Sequence, residues 1–362
     1  MILPIVDQFE SILNNLNFKE LVKKELLLRE FLQSKIIEKI YQTKISKKIF
    51  FIGGTSLRLL HDLDRFSLDL DFDYQDIKKS QIEQLYNHIV KSLRQENIEI
   101  VEYKNIDKKP IEFEIRFPKI LYELKLRQFP EENLVVKLDF DDFWKGHKSE
   151  VLVFNKFASL AKVITVSKNE ILTQKLFALV NRKKTMARDI YDIVWLLSQG
   201  ARIDWQFAKK NNLREDLIFK VRKKIDEEKP KFSFYKKQLA PLLIYPTYVE
   251  KIDFIHSYFP LFNEIKFERF EIIKSLDFDG YLLNFHFKAA DKKVKFTYKV
   301  SETAMANPNF NLPKSEDDNN NIKIAVEKIL NFYNKNPFKD YQIQLITTTN
   351  LLYVFDFDEI LE

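Results

Sequence analysis

Asp69 and Asp71 are the residues of this chain best suited to chemistry. They stand in the run Arg65-Phe-Ser-Leu-Asp-Leu-Asp-Phe-Asp73, which alternates strictly between polar and apolar positions. A period of two predicts a strand, with Ser67, Asp69, Asp71 and Asp73 on one face and Leu68, Leu70, Phe72 and Tyr74 on the other. A row of carboxylates on one face repels itself unless something positive sits there, and a divalent cation with oxygen ligands is the usual candidate. Upstream lies Phe51-Ile-Gly-Gly-Thr-Ser-Leu-Arg58. It reads as the end of a strand, Ile49 to Ile52, then a glycine pair, then a short helix from Thr55 to about Leu63. Glycines let backbone N–H groups approach an anion closely, and the helix would point its positive N-terminus at it. The chain has only five glycines, Gly53, Gly54, Gly146, Gly200 and Gly280, so an adjacent pair signals a backbone requirement. No Walker-type phosphate loop can be written from the other three. Metal carboxylates beside an anion cradle are the two parts that nucleotidyl transfer needs.

Gly53-Gly54-Thr55-Ser56-Leu57-Arg58 followed by Arg65-Phe66-Ser67-Leu68-Asp69-Leu70-Asp71-Phe72 resembles the Gly-Gly/Ser…Asp-x-Asp signature of the DNA polymerase β-like nucleotidyltransferases. Within that superfamily the form is similar to the AbiEii-type toxins of type IV toxin–antitoxin and abortive-infection systems. A second stretch carries the resemblance further. Lys175-Leu-Phe-Ala-Leu stands on one predicted helix and Arg188-Asp-Ile-Tyr-Asp192 on the next, similar to the family's Lys and Arg-Asp-x-x-Asp. The resemblance implies that Lys175 contacts the nucleoside triphosphate and that Asp189 belongs to the active site. It also implies a third carboxylate on a neighbouring strand, for which Asp139 is the candidate and Asp141 the alternative. Asp69, Asp71 and Asp139 would then hold Mg2+ or Mn2+. Gly53, Gly54 and Thr55 or Ser56 would hold the β and γ phosphates, with Ser67 on the same side. Arg58 and Arg65 would contact phosphate or pair with the aspartates. Asp192 reads as more structural than catalytic, because acids near a helix start complement its dipole. The resemblance further implies an RNA acceptor, the tRNA 3′ end, and a cognate antitoxin as partner.

These residues need elements to position them. Phe18 to about Thr43 reads as a long helix covering the sheet that starts at Ile49. Gln75 to Glu96 is another helix. Ile111–Phe117, Leu121–Phe129 and Leu134–Phe140 alternate and read as a meander of antiparallel strands. Ser167-Lys-Asn-Glu170 is a capping box opening a helix with Ile171, Leu172, Leu176, Phe177 and Val180 toward the core. Asp189 to Leu197 makes the next helix, ending at Gly200. Trp205–Asn211, Leu213–Glu227, Tyr235–Leu243 and Tyr248–Phe259 read as helical, interrupted by prolines. Beyond Pro260, Phe267–Leu276, Tyr281–Ala289 and Lys293–Val300 alternate like strands with a tight Asp279-Gly280 turn. A polar loop over Asn307–Asn321, a helix over Ile322–Asn334 and strand over Tyr341–Phe357 follow. The predicted fold is α+β. A polymerase β-like core of a small mixed sheet flanked by helices spans 1–165, a helical half completing the active site spans 166–262, and a small α+β module spans 263–362.

The bulk numbers agree with this class. At 362 residues the chain is long enough for two or three domains. It has no cysteine, which excludes disulfides and thiolate metal sites and suits the cytoplasm. Met1-Ile-Leu-Pro-Ile-Val-Asp lacks a basic start, so no signal peptide is expected, and no run approaches the roughly 20 apolar residues of a membrane span. A net charge of +6 is compatible with an RNA partner, and a basic cluster stands at Lys220, Arg222, Lys223 and Lys224. The five histidines, His61, His88, His147, His256 and His286, form no ligand spacing, which argues against a metal-dependent phosphodiesterase. Two further alternatives are an inactive nucleotidyltransferase-fold module that binds a nucleotide or partner, and an interaction protein acting through its C-terminal module. Intact Asp69, Asp71 and Lys175 argue against the first.

Overall fold

Three strands carry or border the acidic residues, and each is anchored by an apolar stripe on its other face. A computed structural model describes residues 4–14, 21–213, 217–262, 265–289, 292–303, 346–347 and 350–351. In chain order these are α1 (Ile5–Asn14), α2 (Leu21–Tyr41), β1 (Ile49–Ile52), α3 (Gly53–His61), β2 (Leu70–Tyr74), α4 (Lys79–Gln95), β3 (Val101–Asn105) and β4 (Ile111–Phe117). The single turn α5 (Ile120–Glu123), β5 (Leu134–Asp141), β6 (Ser149–Lys156), β7 (Ser159–Val166), α6 (Lys168–Asn181) and α7 (Ala187–Ser198) follow. Then come α8 (Trp205–Lys210), α9 (Leu217–Glu228), α10 (Phe232–Leu239), a 3₁₀ stretch over Pro246–Phe262, and the strands β8 (Ile265–Lys274), β9 (Gly280–Ala289) and β10 (Lys292–Ser301).

Chain contacts divide into two compact units, Met1–Asp192 with Ile203–Asp253, and Ile193–Arg202 with Phe254–Glu362. The boundary expected at 165/166 falls within the first of these units.

In the first unit the strands form one mixed seven-stranded sheet in the order β3-β4-β5-β2-β1-β7-β6. β2 pairs antiparallel with β1 and parallel with β5, and β1 pairs parallel with β7. Alternation in sequence becomes alternation in burial. Ile111, Phe113, Ile115 and Phe117 of β4 and Leu134, Val136, Leu138 and Phe140 of β5 are all buried. Phe51, Phe72 and Phe140 stack across β1, β2 and β5 at 5.2 and 4.9 Å between ring centroids. This aromatic row locks the register, since a slip of one residue would turn the rings out and the aspartates in. α2 packs on β5 and β7 and against α4. It contributes Leu28, Phe31, Leu32, Ile36, Ile37 and Ile40 to the core, as its helical spacing predicts.

Several expectations are corrected. The Asp-x-Asp strand starts at Leu70, not at Ser67. The segment before it is held instead by Leu242–Ile244, whose backbone exchanges hydrogen bonds with Asp64 and Phe66. Leu121–Phe129 is not a strand but α5 and a turn, with Lys119 and Lys125 at left-handed φ of 59° and 56°. β4 and β5 are antiparallel neighbours, yet β5 runs parallel to β2, so the three expected runs are not a simple meander. β3 and the hairpin β6–β7 were not anticipated. The capping box is half formed: Ser167 Oγ accepts from the Glu170 N–H, but the Glu170 carboxylate turns to His147.

In the second unit β8, β9 and β10 form an antiparallel sheet in the order β10-β9-β8, close to the predicted limits. Two short strands, Ile346–Thr347 and Asn350–Leu351, pair with each other. The expected loop at 307–321, the helix at 322–334 and the remainder of the final strand lie outside the described residues. Among the described residues no helix is long and apolar enough to cross a membrane.

Candidate active site

The β2–β5 register builds the site. Parallel pairing sets Asp71 opposite Asp139 and Asp73 opposite Asp141, which brings Asp139 beside the Asp-x-Asp pair. Burial raises the Asp71 carboxyl, with Lys175 opposing that rise and Asp69 adding to it. Burial, followed by the charges of Asp71 and Asp69, pushes Asp139 up to about 7. Asp69 stands at the end of the loop before β2 and lies 3.5 Å from the Arg188 guanidinium.

The glycine pair explains itself sterically. Gly53 has a φ of +75°, and a Cβ there would collide with Asp71 Oδ2. A Cβ on Gly54 would lie 2.5 Å from Arg65 Nη2 and 2.9 Å from Ser67 Oγ. The pair therefore lets one carboxylate and one guanidinium come against the start of α3. Ile52 at the N-cap provides no side-chain cap, so the first N–H groups of α3 keep the ordinary donor capacity of a helix start.

A basic side faces the acids. Lys175 of α6 lies 3.2 Å from Asp189 and 2.9 Å from Asp192 of α7. Burial works against its charge, but these two carboxylates outweigh it and raise its pKa. Arg65, fully buried, donates from Nε and Nη2 to the two oxygens of Asp192, each at 2.7 Å. Burial also opposes the Asp192 charge, and Arg65 and Lys175 overcome it and hold the carboxyl below its ordinary value. Arg182, on the basic break between α6 and α7, pairs with Asp189.

Between the two sides opens a cleft of about 450 Å³, lined by Gly53, Asp71, Asp139, Asp141, Lys175 and Arg182 among others. Other expected site residues are placed differently. The Thr55 hydroxyl donates to the Asp69 carbonyl, and the Ser56 hydroxyl is buried against Thr165. These side chains brace the turn, so of the phosphate donors expected there only the backbone remains. Arg58 is a correction: its guanidinium is engaged by Glu30 at 2.5 Å and by the Leu63 carbonyl, and it lies over the Phe66 ring. Ser67 is buried beside Gly54. Asp189 and Asp192 meet Lys175 behind the cleft lining. Phe177 and Val180, expected in the core, are half-buried.

One of the five histidines without ligand spacing is a buried, partnered group whose contacts the sequence did not indicate. His147 Nε2 lies 3.2 Å from Asp73 without hydrogen-bond alignment, and its Nδ1 meets Glu170. Burial opposes protonation, but the two carboxylates outweigh it and raise His147 to about 9. The contact joins β2, the loop after β5 and the first turn of α6, and no local pattern signals contacts so distant in sequence.

Among the described residues no three acidic or histidine side chains converge tightly enough to hold a metal ion as they stand. The donor set fits one by its chemistry. Asp69, Asp71 and Asp139 are hard oxygen ligands crowded on adjoining strands, and burial with mutual repulsion raises two of them, a cost that a divalent cation relieves.

A family model described as the nucleotidyl transferase AbiEii toxin of a type IV toxin–antitoxin system matches residues 36–291. No curated protein matches the chain in sequence. Among solved structures the chain is similar to JHP933 from Helicobacter pylori, at 18% identity over 65% of this chain and 91% of that one, with a TM-score of 0.42. It is similar to MenT4, a nucleotidyltransferase toxin from Mycobacterium tuberculosis H37Rv, at 18% identity over 63% and 73%, with a TM-score of 0.41. A putative nucleotidyltransferase from H. pylori gives 19% identity over 64% and 93%, with a TM-score of 0.43. The family match carries the conclusion, since it runs from within α2 through β9 and contains the glycine pair, the three aspartates and Lys175: the chain belongs to the AbiEii family of nucleotidyltransferase toxins.

Proposed function

We propose that this chain transfers a nucleoside monophosphate from a nucleoside triphosphate to an RNA hydroxyl, that of the tRNA 3′ end, and releases pyrophosphate. Growth arrest would follow from the blocked acceptor, with a cognate antitoxin opposing it. The observation that supports this reading is the parallel register of Asp71 with Asp139, beside Gly53 and in one cleft with Lys175.

In this reading the acceptor hydroxyl oxygen attacks the α phosphorus, and the bond from that phosphorus to the bridging oxygen of pyrophosphate breaks. A carboxylate of the cluster takes up the hydroxyl proton. The backbone N–H groups at the start of α3 bind phosphate oxygens, as a helix N-terminus does. Lys175 supplies a positive charge against the triphosphate, and Asp189 and Asp192 hold its ammonium in place. Asp69, Asp71 and Asp139 would hold the divalent cation, which when bound supplies charge neutralisation for the phosphates and a lowered pKa for the attacking hydroxyl.

The test is pyrophosphate release from each nucleoside triphosphate in the presence of RNA and Mg2+. Asp69→Asn and Asp71→Asn are each expected to lower the rate by roughly a thousandfold or more, because several kcal/mol of charge stabilisation are lost. Lys175→Met is expected to raise KM for the triphosphate. Release that is unaffected by Asp71→Asn would reject this assignment of the site.

A further inference from the structure

The cleft has a second wall that the transfer reading leaves unused. Phe143 and Trp144 come one residue after the end of β5, and Phe177 stands on α6. Phe143 and Trp144 meet edge-on at 4.9 Å between ring centroids, Phe143 and Phe177 at 5.6 Å and 34°, and Trp144 and Phe177 at 5.1 Å and 75°. Trp144 is buried, yet Phe143 leaves 49% of its surface exposed. A rigid aromatic cluster with one ring half open to a cleft offers a surface for another flat ring. A second observation is independent of the rings. Gln174 lines the same cleft and is only 7% exposed, and its Nε2 has no hydrogen-bond partner. A buried amide donor left unpaired is costly and calls for an acceptor. One turn further along α6, Ala178 also lines the cleft, and its small side chain leaves room.

We infer that this wall is the nucleobase subsite, and that Gln174 is a specificity-determining residue. The inference rests on the transferase reading, in which the triphosphate lies on the acidic and basic side of the same cleft. The base stacks on Phe143, with Phe177 and Trp144 backing that ring, and Gln174 Nε2 donates to a ring nitrogen or carbonyl oxygen on the base edge. A donor at this point favours an acceptor edge and disfavours an amino group, which is how a single amide separates bases. Stacking alone tolerates every base, so Phe143 supplies affinity and Gln174 the choice.

Calorimetric titration of the full chain in Mg2+ tests this, with each of the four ribonucleoside triphosphates and with inorganic tripolyphosphate. Phe143→Ala, at a half-exposed position, is expected to weaken the preferred nucleotide by roughly tenfold to a hundredfold and to leave tripolyphosphate unchanged. Gln174→Met keeps the length of the side chain and removes the donor. It is expected to narrow the spread among the four nucleotides, again without effect on tripolyphosphate. Variants that bind all four nucleotides as the parent does would overturn the subsite, as would equal weakening of nucleotide and tripolyphosphate. Equal affinity of the parent chain for tripolyphosphate and nucleotides would overturn it too, while leaving the transferase reading intact. No binding of either ligand by the folded parent would remove both.

Discussion

Asp192 bears the structural load behind the cleft, where it accepts two hydrogen bonds from Arg65 and lies 2.9 Å from Lys175. All three side chains are largely or wholly buried. Removing the carboxylate leaves a buried guanidinium and an ammonium short of a partner. Asp192→Asn is therefore expected to destabilise the fold by about 3–5 kcal/mol, read by urea denaturation; a loss under about 1 kcal/mol would refute the buried-pair argument. Gly53→Ala separates geometry from charge. The left-handed φ costs about 1–2 kcal/mol, and the new Cβ displaces the Asp71 carboxylate. The expected outcome is a modest fall in stability with near-complete loss of transfer. Much of this scale was legible in advance. Asp69, Asp71 and the glycine pair are signals within one short stretch, so spacing alone finds them. Arg58 was not legible, because nothing local says whether an arginine beside a phosphate turn faces the ligand or a glutamate on α2. Phe177 was misread as core, because helical periodicity does not distinguish an apolar residue facing a core from one facing a cleft.

At the scale of elements, the site depends on how α6 and α7 are held. Glu228, the last residue of α9, receives hydrogen bonds from Thr185 in the α6–α7 link at 3.0 Å, from Lys231 at 3.0 Å and from Tyr235 of α10. Burial works against its charge, but these donors outweigh it and lower its carboxyl from 4.5 to about 2. A carboxyl held lower in the folded state than in the unfolded one stabilises above its unfolded value, and that contribution is lost as pH falls through the folded value. Glu228→Gln is expected to cost on the order of 1–3 kcal/mol at neutral pH. The difference from the parent should shrink between about pH 5 and pH 2, measured by thermal denaturation across that range. A cost independent of pH would contradict the linkage. The elements were legible to unequal degree. β4 and β5 show clean alternation because one face is core. β6 escaped notice because it is the sheet edge, with Val151 and Val153 exposed at 60% and 70%. The direction of β5 relative to β2 is set by long-range connections, which alternation does not report.

At the scale of the whole molecule, the chain carries 59 basic and 53 acidic residues. An acceptor RNA held through lysines and arginines would release counterions on binding. Its KM is expected to rise roughly tenfold or more between 50 and 200 mM salt, whereas kcat should change little. A salt-independent KM would point away from a nucleic-acid acceptor. The family match ends within the strands of the second unit, after β9. The match therefore overlaps the module expected over 263–362, an expectation that came from a change in periodicity after Pro260.

The most direct measurement follows the label. The purified chain is incubated with Mg2+, total RNA and each α-³²P nucleoside triphosphate in turn, beside the Asp69→Ala/Asp71→Ala protein. Label is expected on small RNA with the parent chain for one preferred nucleotide, and none with the double variant. Label that moves equally well with the double variant, or no label on any RNA from a folded protein that binds the triphosphate, would contradict nucleotidyl transfer to RNA at Asp69 and Asp71.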